Sequence, residues 1–188
     1  MEITVTRFKG VSSTEPVEET SLASVLDEIR SSKWERKIKE CMADISKKRW
    51  LPCFTPTGRF SYRSIAGLYE YNGVVCLDID RLEAPQDLKE RCKKLAWCHA
   101  AFITPSYKGL KVIIRTNATK ETHTMVDQAV AELFRKETGV ARDEHCKDIA
   151  RIQFVSWDPE LYYNPHSELL EWNGSGLKSV TPEVIGGL

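Results

Sequence analysis

The sequence predicts an α+β fold, with α/β-like mixing of helices and strands around an antiparallel or mixed sheet. Three observations predict it. Apolar strand-like runs alternate with segments of helical period along the chain. Two of these runs flank a short turn and read as a hairpin. Three runs share a two-faced pattern, with an apolar row opposite a polar one. At 188 residues the chain can bury a substantial core, as one domain or as one domain with an appended unit.

The elements follow in order. Glu2 to Phe8 alternates as a short strand, and Gly10 to Thr20 is a Ser/Thr/Glu/Pro loop. Thr20 or Ser21 can cap a helix that runs to Arg30. Ser32 can cap a second helix, to about Lys48, with Ile38, Met42 and Ile45 on one stripe. Pro52 to Arg59 breaks that pattern, with Pro56-Thr57-Gly58 as a turn. After the turn signal Asn72-Gly73 comes the apolar run Val74 to Asp80. Pro85 to Trp97 reads as a helix with proline at its start. Ala100–Thr104 and Leu110–Thr116 form the hairpin around Pro105-Ser106-Tyr107-Lys108-Gly109. Thr119 to Thr138 is the longest helix, with Met125, Val126, Ala129, Val130 and Leu133 as its apolar stripe and His123 exposed. Ile152 to Trp157 is the last strand, and Trp157, Tyr162 and Tyr163 are expected to fill core.

Composition narrows the class. Hydrophobic content of 41% and charged content of 29% fit a soluble globular protein. No stretch has the length of a transmembrane helix and no signal peptide opens the chain, so the expected location is the cytoplasm. The six cysteines include no C-x-x-C pair, which argues against a zinc ribbon and a disulfide framework. Cys98-His99 with His145 and Cys146 is a metal candidate, with buried thiols as the plainer reading. Zero net charge hides an asymmetry: residues 33–63 carry nine basic and three acidic side chains, interleaved with Trp34, Trp50, Phe54, Phe60 and Tyr62. Cations for phosphates and flat rings for bases suit single-stranded nucleic acid. A solvated helix face followed by core aromatics is the alternative.

The most informative run is Val74-Val75-Cys76-Leu77-Asp78-Ile79-Asp80. On a strand, Asp78 and Asp80 share one face while Val75, Leu77 and Ile79 share the other. The two carboxylates then stand roughly 6.6 Å apart along the strand. Like charges so close among apolar neighbours call for a positive group between them, and carboxylates are the ligands Mg²⁺ and Mn²⁺ prefer. The alternative is an edge strand whose aspartates face water. Leu110, Val112 and Ile114 likewise lie opposite Lys111 and Arg115, and Ile152 and Phe154 opposite Arg151 and Gln153. If these strands are neighbours, their polar rows form one open sheet face carrying acids for metal and bases for phosphate.

These motifs resemble the archaeo-eukaryotic primase superfamily, the primase-polymerases, most closely its VirE N-terminal-type branch from bacterial mobile elements. The carriers are Leu77-Asp78-Ile79-Asp80, then Ser106-Tyr107-Lys108-Gly109-Leu110-Lys111, then the segment from Asp143 through Asp148 and Arg151 to Pro159. Lys48-Arg49-Trp50-Leu51-Pro52 and Gly58-Arg59-Phe60 resemble the same branch. The resemblance implies a single domain over residues 1–188. Its parts would be an N-terminal αβ unit over about residues 1–70, packed on an RRM-like catalytic core over about 71–165, and a C-terminal extension over 166–188. It implies metal-dependent nucleotidyl transfer, as a DNA primase or polymerase, in replication of a mobile element. Its partners would be single-stranded DNA template, nucleoside triphosphates and a helicase on the same or another chain. Asp78 and Asp80 would bind Mg²⁺ or Mn²⁺, with Asp143 as third acid and Asp148 as its rival, all within one ion's reach. Ser106, Lys108, Gly109, Lys111 and Arg151 would hold the triphosphate, and Lys47, Lys48, Arg49, Arg59 and Arg63 the strand. Lys111 stands where many members carry histidine, a departure that favours the alternative of a non-catalytic single-stranded nucleic-acid-binding domain. A metal-dependent phosphoesterase would share the acids.

Overall fold

The computed structural model describes residues 2–143 and 148–181. The chain begins with an antiparallel ribbon, β1 (Thr4–Phe8) and β2 (Pro16–Ser21), followed by helices α1 (Leu22–Arg30) and α2 (Glu35–Ala43). Short strands β3 (Cys53–Thr55), β4 (Gly58–Phe60) and β5 (Leu68–Tyr71) lead to β6 (Val74–Ile79) and helix α3 (Pro85–Cys92). The hairpin β7 (Cys98–Ile103) and β8 (Leu110–Arg115) precedes the longest helix, α4 (His123–Thr138). Strands β9 (Gln153–Phe154), β10 (Tyr162–Tyr163), β11 (Leu169–Trp172) and β12 (Leu177–Val180) complete the fold. The class is α+β with antiparallel strand pairing, as the sequence predicts. No helix among the described residues is long and apolar enough to cross a membrane.

Two four-stranded sheets organise these elements. One has the order β2-β1-β3-β9 and the other β10-β7-β8-β6. Period-two alternation divides the second sheet between two cores. Val75, Leu77 and Ile79 of β6 and Leu110, Val112 and Ile114 of β8 pack with Leu88 and Cys92 of α3 and Val126, Val130 and Phe134 of α4. The opposite row, Val74, Cys76, Ala100, Phe102 and Ile113, packs with Leu22, Val25, Leu26 and Ile29 of α1, with Trp34, Ile38 and Cys41, and with Val5 and Phe54 of the first sheet. The expected open polar face is therefore not there: most of it is apolar and covered. Cys76 and Ile113 separate Asp78 and Lys111 at one end of that row from Arg115 at the other, so only its ends are polar.

The other departures have local causes. Gly10 to Thr20 is not all loop, because Pro16–Ser21 pairs by backbone with β1 while burying little side chain, which hides it from a hydrophobic scan. Proline is tolerated at this edge. The second helix stops at Ala43. Asp44 is extended, and its carboxylate accepts from the Ser46 amide and hydroxyl at 3.1 and 2.7 Å, turning the chain into a 3-10 segment, Ile45–Trp50. Met42 and Ile45, expected inside, are exposed, and the buried row is Trp34, Ile38 and Cys41. Helix α4 buries Val126, Val130 and Phe134 together with His123, Asp127 and Thr138, while Met125 is exposed. His123 is thus buried rather than exposed, with a hydrogen bond of 2.6 Å between its Nδ1 and the Tyr71 hydroxyl. Burial pulls its imidazole below the ordinary value, against the charges of Asp127 and Asp148. The last predicted strand shrinks to Gln153–Phe154 and pairs with β3, so Arg151 precedes a strand of the other sheet.

A buried ion pair ties the layers together. Lys89 Nζ donates to Asp158 Oδ1 and Oδ2 at 2.7 and 2.8 Å, and Asp158 Oδ2 also accepts from the Ile103 amide at 2.9 Å. Both side chains are almost wholly enclosed. Removing one partner of such a pair leaves an uncompensated buried charge. Asp158→Ala should therefore lose about 3–5 kcal/mol of unfolding free energy in urea titration. A loss below about 1 kcal/mol would show that Lys89 finds water or another acceptor.

Candidate functional site

Strand register builds the site. β6 pairs antiparallel with β8 so that Asp78 lies opposite Lys111, and side chains directly opposite share a face. The Lys111 ammonium pairs with Asp78 Oδ2, and both residues are only 8% exposed. The positive group that the carboxylate demands is thus present within the sheet itself. Asp80 lies just past the end of β6 and is exposed. Desolvation against the cleft wall, then repulsion from Asp78, holds its carboxyl above the ordinary value, with Lys111 and Lys48 opposing and Asp143 adding.

These residues line a cleft of about 390 Å³ with Lys48, Arg63, Asp148, Arg151 and Phe154. Each wall has a separate origin. Lys48 comes from the 3-10 segment after Asp44 and sits 5.0 Å from the centre of the Phe154 ring. Arg63 is held by a hydrogen bond to the Val11 carbonyl at 2.7 Å. Asp148 and Arg151 belong to a turn closed by the Arg151 amide on the Asp148 carbonyl at 2.9 Å. Asp143 approaches Asp80 from the other side: its amide donates to the Asp78 carbonyl at 2.8 Å, its charge acts on Asp80, and it lines an adjoining pocket of about 300 Å³ with Asp80, Arg81 and Arg142. Of the two rival third acids, Asp148 shares the cleft with both Asp78 and Asp80. Glu144 to Lys147, including His145 and Cys146, lie outside the described residues. Cys98 and His99 are committed elsewhere, with His99 Nδ1 3.0 Å from the Ser167 hydroxyl and its imidazole pushed down to about 4, by burial first.

The other expected residues divide. Gly109 abuts Asp80: a Cβ there would lie 2.7 Å from the Ile79 carbonyl and 3.0 Å from Asp80 Oδ1. Ser106 turns inward to Thr104 Oγ1 at 3.2 Å and accepts from the Lys108 amide at 3.4 Å, so it shapes the hairpin, with Tyr107 at a φ of 57°. Neither Ser106 nor Lys108 is among the described residues lining the cleft. Lys47 and Arg49 are exposed on the same 3-10 segment as Lys48, with Lys47 turned toward Glu40 at 3.9 Å. Arg59 is tied to Glu19 and Glu70 at 2.5 Å each and does not reach the cleft.

The donor set can be tested against a divalent cation. Among the described residues no three carboxylate, imidazole or thiol groups are gathered tightly enough to hold an ion, so the expected three-acid convergence is not preformed. Asp78 and Asp80 nevertheless fit Mg²⁺, which is usually bound by one or two carboxylates with waters and substrate phosphates completing its shell. The charge burden on Asp80 and the glycine clearance against its Oδ1 suit that use.

Sequence reasoning missed the buried pair of Asp127 with Arg142, which moors the segment carrying Asp143 to α4. Their separation in sequence gave no signal. The family model described as BT4734-like, N-terminal domain matches residues 46–163, a stretch that begins in the basic 3-10 segment and contains Asp78, Asp80, Lys111, Asp148 and Arg151. No curated protein and no solved structure matches the chain.

Two outcomes follow from this geometry. Gly109→Ala should lose about 1–3 kcal/mol, because the added methyl must displace backbone. Urea unfolding measures it, and an unchanged midpoint would mean the hairpin yields freely. The second concerns pH. Because the Asp80 carboxyl is raised in the fold, the folded state binds more protons there, so stability falls as pH rises through its ordinary 3.8 to the raised value. Asp80→Asn should therefore be more stable than the parent at neutral pH, with the gain fading below 3.8. Parallel thermal melts that show no gain at neutral pH would contradict this.

Proposed function

The chain belongs to the BT4734-like N-terminal domain family, and from its cleft we propose a metal-dependent nucleotidyl transferase of the primase-polymerase kind. The observation that carries the proposal is convergence. Asp78, Asp80, Lys111, Asp148, Arg151, Lys48 and Arg63 come from distant parts of the chain, yet line one cleft. The four-stranded antiparallel sheet, with α3 and α4 on one face and the N-terminal helices on the other, supports a primase-polymerase-like architecture with an RRM-like core.

In this reading Asp78 and Asp80 hold Mg²⁺ or Mn²⁺, with Asp143, beside Asp80, or Asp148, in the cleft, as the third acid. The ion, when bound, supplies charge neutralisation and polarisation at a phosphoryl oxygen. Arg151, Lys48 and Arg63 hold the phosphates, and Gly109 lets the hairpin backbone lie close to Asp80. Catalysis of this type rests on positioning and electrostatic stabilisation more than on covalent chemistry by the protein. Lys47 and Arg49, exposed on the segment that carries Lys48, offer charge to a single-stranded DNA template. Replication of a mobile element, with a helicase on this or another chain, is the setting we propose.

A non-catalytic single-stranded nucleic-acid-binding domain is the second reading, and one observation favours it: the Lys111 ammonium already neutralises Asp78. An incorporation assay separates the two. Wild type should add labelled nucleotides to a primed single-stranded template with Mn²⁺ or Mg²⁺, and Asp78→Asn should fall to background with its circular dichroism unchanged. A wild type that binds the strand yet incorporates nothing with either ion would leave the binding reading standing.

A further inference from the structure

We infer that Lys111 and a divalent cation compete for Asp78, so that the cation enters this cleft together with a triphosphate rather than ahead of it. The inference rests on the proposed function and concerns how that site is loaded. The register of β6 and β8 sets Asp78 against Lys111, and the ammonium occupies Oδ2. Both side chains are nearly enclosed, at 10% and 11% exposure, so solvent ions screen the pair poorly. A cation arriving alone must either take Oδ2 from the ammonium or settle on the other oxygens while standing beside that same positive charge. It also finds no preassembled third protein ligand among the described residues.

A triphosphate removes both obstacles. Its oxygens complete the metal's shell, as they commonly do for Mg²⁺. Its negative charge also gives Lys111 a second partner, and the flexible four-carbon stem of lysine allows the ammonium to swing toward it. The anion would be drawn to the same place by Lys48, Arg63 and Arg151, which line the cleft. Metal and triphosphate binding are then coupled, and the coupling is reciprocal. A lysine at this position acts as a latch in a way that a neutral imidazole would not.

The test uses opposite signs. Mn²⁺ alone is titrated into the protein, following free Mn²⁺ by electron paramagnetic resonance. A fluorescent non-hydrolysable nucleoside triphosphate is titrated separately in EDTA. Lys111→Met should bind Mn²⁺ at least about tenfold more tightly than wild type, or about 1.4 kcal/mol, and the triphosphate more weakly. Asp78→Asn, which releases the ammonium, should do the reverse: weaker Mn²⁺ and tighter metal-free triphosphate. If Lys111→Met fails to fold, the Asp78→Asn pair of measurements decides alone. Losses in both titrations for either variant would mean a purely structural ion pair and overturn the inference, as would unchanged Mn²⁺ affinity. Those results leave the proposed function intact if wild type still binds the triphosphate with Mg²⁺. A wild type that binds no triphosphate, with or without Mg²⁺, overturns both.

Discussion

The register of β6 against β8 is the constraint on which the site depends. It places Asp78 opposite Lys111 at one end of the sheet face, beyond the apolar residues that the N-terminal helices cover. A slip of β6 by one residue would turn Asp78 toward α3 and α4, away from Lys111, and send Val75, Leu77 and Ile79 the other way. The apolar row is therefore also what fixes the polar one. Six residues of β6 and β8 pack against the helical layer, and a slipped pairing would take that apolar row out of the core. The buried acid and base are tolerated because each supplies the other's counter-charge, since a lone buried ion costs several kcal/mol.

The cleft is a seam rather than a feature of either sheet. One wall is the β6–β8 end of the second sheet, and the other comes from the turn before β9, which pairs into the first. What holds the seam is distributed. Apolar residues of α1 and α2 join both sheets in one core, and the Lys89–Asp158 pair links α3 to the chain beyond β9. The Asp127–Arg142 pair moors the segment whose amide caps the Asp78 carbonyl. The acids and bases of the cleft are thus positioned by contacts lying mostly outside it.

Local chemistry made part of this legible in the sequence. Period-two alternation revealed β6 and β8, with Asp78 and Asp80 on one face and Lys111 on the polar face of its own strand, and the turn residues Pro105 to Gly109 revealed the β7–β8 hairpin. The cap Ser21 and the proline opening α3 marked helix starts that the structure keeps. What stayed hidden depends on distant partners. β2 is polar and pairs only by backbone. His123 and Asp127 look like solvent-facing residues of α4, yet Tyr71 and Arg142 accommodate them inside. Arg59 reads as a phosphate ligand until Glu19 and Glu70 are seen beside it. The polar row seemed to run along an open face because the sequence does not say what packs on Val74, Cys76 and Ile113.

The charge inventory of the cleft bears on which function the chain was built for. Among the described residues, Lys48, Arg63, Lys111 and Arg151 line it with Asp78, Asp80 and Asp148, four cations against three acids. A surface that only holds a nucleic acid backbone gains from cations and is weakened by acids, since neutralising phosphates drives that binding. Asp78 is moreover buried, where a carboxylate is costly even when paired. Replacing Asp78 and Lys111 by an apolar pair of similar volume would relieve that cost and leave strand binding to Lys47, Lys48 and Arg49. Keeping the acids makes physical sense if a divalent cation must at some stage be held beside a phosphate, with Lys111 guarding the carboxylate until the anion arrives. The near balance of charge then suits a ligand that brings its own metal, and it is the acids, more than the bases, that point to chemistry.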